Sequence, residues 1–140
     1  MTTLDPVLYV VADGNKARFL KYDGQQLRTT RSFDAQTAPA HAEVGSIKTP
    51  HADPRTQIKE RFAREVADAI AHDAQQDSAV EGIALAAPAS TLHEIRSHLN
   101  KATAAKLVTT ESKDLTNIAD HDLLSHFHRP ATGWEMPAGR

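Results

Sequence analysis

The sequence predicts a single α/β domain built on a mixed five-stranded sheet. Three short apolar or alternating runs follow one another before residue 34, each divided from the next by a tight-turn signal, which reads as an antiparallel meander. Beyond the middle of the chain, stretches of helical periodicity alternate with strand-like runs, which reads as a parallel β-α-β part. At 140 residues the chain has the size of one ordinary domain with room for a core.

The first run, Val7-Leu8-Tyr9-Val10-Val11-Ala12, is apolar at every position and stops at Asp13-Gly14-Asn15, so it reads as a buried strand leaving through a tight turn. Residues 16–22 alternate, with Ala17 and Phe19 on one side and Arg18 and Leu20 on the other. Asp23-Gly24 is a hairpin signal, and residues 26–33 form the third strand. Residues 34–54, with Pro39, Gly45, Pro50 and Pro54, read as a long irregular loop, and loops of that length in a compact domain tend to carry function.

Asp53 then offers a helix cap with Pro54 at the first helical position, and Ile58, Phe62, Val66, Ala69 and Ile70 recur at helical spacing over 55–76. Residues 80–87 read as a strand placed at the centre of the sheet, which leaves self-association to an edge strand or a helix face. Ser90 caps a helix carrying Leu92, Ile95 and Leu99, residues 106–110 form the last strand, and Asp120 caps a helix with Leu123, Leu124 and Phe127. The domain is expected to span 1–129, followed by a C-terminal tail at 130–140 with Pro130, Gly133, Pro137 and Gly139. The order β-β-β-α-β-α-β-α is that of ribonuclease-H-like sheets.

Composition narrows the chemistry. The sequence has no cysteine, which excludes disulfides, thiolate metal sites and thiol nucleophiles. Met1 to Pro6 show no basic patch leading into an apolar stretch, and no apolar run is long enough for a membrane span, so a cytoplasmic location is expected. The net charge of −2 is unevenly spread: residues 1–64 carry ten Lys/Arg against seven Asp/Glu, and residues 65–140 six against eleven, hence +3 and −5. An acidic whole disfavours indiscriminate binding to DNA, while a basic face in the first half remains available for RNA.

That face is concentrated where the long loop meets the helix. Lys48, Arg55, Gln57, Lys59, Arg61 and Arg64 form the candidate nucleic-acid or anion site, since arginine forks and helix N-terminal amides suit phosphate. An alternative for the same residues is a solvated helix face with pairs such as Glu60 and Arg64. His41, His51 and Asp53 are the loop candidates, but they supply no third convergent ligand, and Asp53 serves equally as a helix cap. Neither a metal nor another cofactor is expected. A metal-dependent nuclease would need converging carboxylates, and Ile83 to Pro88 offers no acid. Ser46 lacks a nucleophile elbow, so no catalytic residue is assigned.

Four stretches carry a resemblance: VVADGNKARFL at 10–20, TPHADPRTQIKERFAREVADAI at 49–70, ALAAP at 84–88 and KDLT at 113–116. Together they resemble the bacterial proteins named for attachment to host cells. That family in turn resembles the middle domain of archaeal and eukaryotic release factors and of Pelota. In the release factors a Gly-Gly-Gln precedes a helix with an Arg-Phe-Ala-Arg run, which is similar to Arg61-Phe62-Ala63-Arg64. In that register Gln57 falls on the glutamine, but Arg55 and Thr56 stand where the glycines would be. Only glycine opens the backbone conformations involved, so peptide release is not expected. The resemblance implies a non-catalytic module associated with the ribosome, transfer RNA or ribosomal RNA. The alternatives are an intracellular accessory role in attachment to host cells, and a hydrolase using the 34–54 loop.

Overall fold

Val7–Ala12 (β1) is apolar throughout because it is covered on both faces: every residue of the strand is buried. The computed structural model describes residues 7–34, 54–76 and 80–127, with side chains from residue 60 onward in the long helix. The remaining strands are Lys16–Tyr22 (β2), Leu27–Asp34 (β3), Gly82–Ala86 (β4) and Leu107–Glu111 (β5). The helices are Pro54–Gln76 (α1), Ala89–His98 (α2), Lys101–Ala104 (α3) and Asp120–His126 (α4). The strand order is β3-β2-β1-β4-β5. β1, β2 and β3 pair antiparallel, and β1, β4 and β5 pair parallel, which is the expected mixed sheet.

Alternation along the strands divides the interior in two. Leu8, Val10, Ala12, Phe19, Ile83 and Leu85 meet Phe62, Val66 and Ile70 of α1 and Leu92 and Ile95 of α2. Val7, Tyr9, Val11, Leu20 and Leu27 meet Leu115, Leu123 and Phe127 on the opposite face. There Ala84 and Ala86 are small, and Phe127 sets its ring edge against Tyr9 at 5.3 Å between centroids. The core therefore has helices on both sides of one sheet.

Several boundaries differ from the sequence reading, each for a local reason. The central strand is β1, and β4 lies next to it, because β1 takes β2 on one side and β4 on the other. Ser90 does not cap α2: Pro88 holds the cap position with no side-chain bond, its carbonyl accepting from Leu92 N–H at 2.7 Å. The helix also stops at Leu99, whose ψ of 138° is extended. Asn100 then starts α3, its Oδ1 accepting from Thr103 N–H at 2.7 Å, a capping signal that the apolar spacing of Leu92, Ile95 and Leu99 hides. Ala119 takes the cap position of α4, and Asp120 is its first residue, its carboxylate engaged by β2 and β3 instead. The turn at Asp23-Gly24 is present, with Gly24 at φ 103°, where a side chain would be strained. Of the expected 34–54 loop, Asp34 closes β3 and Pro54 opens α1, while residues 35–53 with the Asp53 cap, and the 130–140 tail, lie outside the described residues.

The meander contains an irregularity that the sequence does not announce. Phe19 pairs with Arg31 but Leu20 pairs with Thr29, so Thr30 is an extra residue on β3. Its hydroxyl donates to Phe19 O at 3.1 Å. Leu27 and Thr29 consequently face α4, while Arg31 and Phe33 face α1.

Candidate functional site

The apolar stripe of α1, Phe62, Val66, Ile70 and Ala74, packs on the sheet and turns Arg64 and Asp68 to the exposed side, with Arg61 half-buried at its margin. Among the described residues neither Arg61 nor Arg64 has a carboxylate within ion-pair distance, although Glu60 stands one turn before Arg64. The intrahelical pairing that would neutralise this face is thus not formed. The charge layout also opposes the helix dipole. Residues 54–65 carry Arg55, Lys59, Arg61 and Arg64 against Glu60 and Glu65, whereas 66–76 carry only Asp68 and Asp73. The first turn holds no acid and the last turn no base, the reverse of what stabilises an isolated helix.

Beside the second half of this helix runs a groove against the edge strand β3. Arg31, Ser32 and Phe33 form one wall and Glu65, Asp68 and His72 the other, around a volume of about 510 Å³. Arg31 is fixed there by three contacts: its guanidinium lies 5.0 Å from the Phe19 ring centre and 5.7 Å from that of Phe33, and it pairs with Asp73 at 3.5 Å. Phe33 in turn meets Phe62 edge-on at 5.7 Å, which ties the groove wall to the core of α1.

At the carboxyl end of β1 a second polar assembly joins two of the motifs noted in the sequence. Asp13 Oδ1 accepts from the amides of Asn15 and Lys16, both at 2.7 Å, which shapes the β1–β2 turn. The hydroxyl of buried Thr116 lies 3.2 Å from Asp13 Oδ2 and 2.6 Å from Asp114 Oδ1. Lys16 Nζ donates to Asn117 Oδ1 at 2.8 Å, and Arg18 donates to the carbonyls of Thr116 and Ile118 at 3.0 and 2.6 Å. Arg18 also pairs with Asp120, which accepts from Thr29 N–H at 2.9 Å and Thr29 Oγ1 at 2.6 Å. Each of these charged groups has a hydrogen-bond partner, so this assembly fastens the β5–α4 connection to the meander. Lys113 stands outside it, 4.0 Å from Glu111.

Of the site residues read from the sequence, Arg61 and Arg64 are thus placed together on α1. Arg55, Gln57 and Lys59 belong to the same helix, with side chains outside the described set. Lys48, His41, His51 and Asp53 lie outside the described residues. Among those described, no three His, Asp or Glu converge in a way that could hold a metal ion. The β3–α1 groove was not legible, because it depends on which way Arg31 points.

Residues 7–127 match the model of bacterial archaeo-eukaryotic release factor family 12. The chain belongs to this family. No curated protein sequence matches it. Among solved structures, the family-12 chain is similar to the archaeal translation termination factor aRF1, with a TM-score of 0.50 and 12% identity over 74% of this chain and 29% of that one. It is also similar to Dom34 of S. cerevisiae, a translation termination-like factor, with a TM-score of 0.45 and 12% identity over 86% of this chain and 34% of that one. The family-12 chain therefore spans well under half the length of either structure, and the likeness to aRF1 is one of fold. The resemblance to release factors read from the sequence holds.

Proposed function

We propose that this family-12 domain is a translation-associated module that contacts ribosomal or transfer RNA and does not itself release peptides. The observation that carries the reading is the pair Arg61 and Arg64, left without carboxylate partners among the described residues on a helix whose charges oppose its dipole. Guanidinium groups without a carboxylate partner are suited to phosphate oxygens. Arg55, Lys59 and Lys48 extend the same contact toward the 34–54 loop, with Gln57 among them. The absence of release activity rests on Arg55 and Thr56: α1 begins at Pro54, so positions 55–57 have helical backbone, and no glycine there gives Gln57 another conformation. On this reading the domain works in the cytoplasm. Among the described residues no helix is long and apolar enough to cross a membrane.

Co-sedimentation with bacterial ribosomes tests this. The wild-type protein is expected to pellet with ribosomes at moderate salt and to be released steeply as salt rises, and the double variant Arg61→Glu, Arg64→Glu to remain in the supernatant. Both side chains lie outside the apolar stripe, so the variant should keep its stability within about 0.5 kcal/mol. Wild-type protein that stays in the supernatant at moderate salt overturns the proposal.

A further inference from the structure

We propose that the groove between β3 and α1 binds an unpaired guanine base of RNA. This rests on the RNA-contact reading above and names the base that the same surface selects. The groove volume of about 510 Å³ is in the range of small-ligand sites. One wall is a flat platform: the Arg31 guanidinium, held by Phe19, Phe33 and Asp73, is the kind of plane on which unstacked bases lie.

The opposite wall decides which base. Asp68 is exposed, lines the groove and makes no ion pair among the described residues. A carboxylate only accepts hydrogen bonds. Guanine alone among the four bases offers it two adjacent donors, the ring N1–H and the exocyclic amino group. Adenine and cytosine present a ring acceptor there, and uracil has one donor between two acceptors.

Charge separates the base from its phosphate. Glu65 and Asp68 outnumber Arg31 in the groove lining, and Arg31 is already paired with Asp73, so a phosphate is disfavoured there. Arg64 and Arg61 lie four and seven residues before Asp68, about 6 and 10 Å along the helix axis, within reach of the backbone of a nucleotide seated in the groove.

The experiment is an NMR titration of isotopically labelled protein with GMP, AMP, CMP, UMP and inorganic phosphate. GMP is expected to shift the amides of residues 31–33 and 65–72 to saturation, with AMP at least about tenfold weaker, the scale of one bidentate base contact. Asp68→Asn, an exposed change that leaves the fold intact, should cost GMP about tenfold and remove its advantage over AMP. Equal binding of the four nucleotides, shifts reproduced by phosphate alone, or an Asp68→Asn variant with wild-type affinity for GMP would each overturn the proposal. Ribosome pelleting that depends on Arg61 and Arg64, together with indifference to nucleotides, removes the groove alone. Asp68-dependent GMP binding without pelleting supports the groove and removes the ribosomal reading.

Discussion

Thr29 and Arg31 stand two positions apart on one strand and face opposite sides of the sheet. In a regular strand residues at that spacing share a face. The inserted Thr30 breaks the alternation, and β3 thereby serves both layers: Thr29 binds Asp120 on the α4 side, and Arg31 stacks on Phe19 and Phe33 on the α1 side.

Deleting Thr30 should be tolerated for this reason. Without it Leu27, Thr29, Arg31 and Phe33 keep Tyr22, Leu20, Phe19 and Ala17 as partners in an unbroken ladder, so Leu27 stays against the α4 face and Phe33 toward α1. What is lost is the bond from the Thr30 hydroxyl to Phe19 O, about 0.5–1.5 kcal/mol. Urea unfolding of the deletion variant is expected to show a loss below about 2 kcal/mol, and a larger loss would mean that the bulge itself is required for packing.

Thr116→Val tests the fastening of the last helix. The substitution keeps the shape of the buried side chain but leaves Asp13 Oδ2 and Asp114 Oδ1 without its hydroxyl. The hydroxyl has one proton to give, Asp13 is half-buried and Asp114 exposed, so the loss is that of one ordinary hydrogen bond, about 0.5–1.5 kcal/mol. Hydrogen exchange should show α4 and the 115–119 segment opening before the strands. A drop below about 0.5 kcal/mol would mean that the two carboxylates find other donors.

Acid should weaken the same region. Burial by itself would raise the Asp120 pKa, but bonds from the hydroxyl and amide of Thr29 and from Arg18 outweigh it and hold the group below its ordinary 3.8. A carboxyl depressed in the folded state stabilises it above the unfolded pKa, and that contribution fades as pH falls through the folded value. Stability is therefore expected to decline below about pH 4, and less steeply in Asp120→Asn. Asp23, held mainly by the amides of Gln26 and Gln25 and then by Arg28, is lowered to about 2. Its carboxyl resonance should titrate with a midpoint near that value, and a midpoint at 3.8 would show that the turn bonds are not kept in solution.

Much of the architecture was legible because burial leaves a mark on composition. The unbroken apolar run of β1, the glycine at 24 and the 3.6-residue recurrence of Phe62, Val66 and Ile70 each answer to local physics, and each element formed where those signals stand. Capping was less legible. Ser90 and Asp120 have suitable chemistry, but Pro88 ends the strand so close to α2 that its own carbonyl starts the helix, and Asp120 is taken by partners about a hundred residues away in sequence.

The candidate site divides in the same way. The sequence by itself determined that the first half of α1 is basic, that Gln57 has no glycines before it and that the chain folds as an α/β domain, since these follow from residue identity and short-range spacing. Only the tertiary structure decided that Arg61 and Arg64 remain unpaired among the described residues, and that Arg31 turns toward Asp68 and His72 to make a groove. Which face Arg31 occupies depends on one extra residue in a strand pairing, and pairing register is a property of two segments at once.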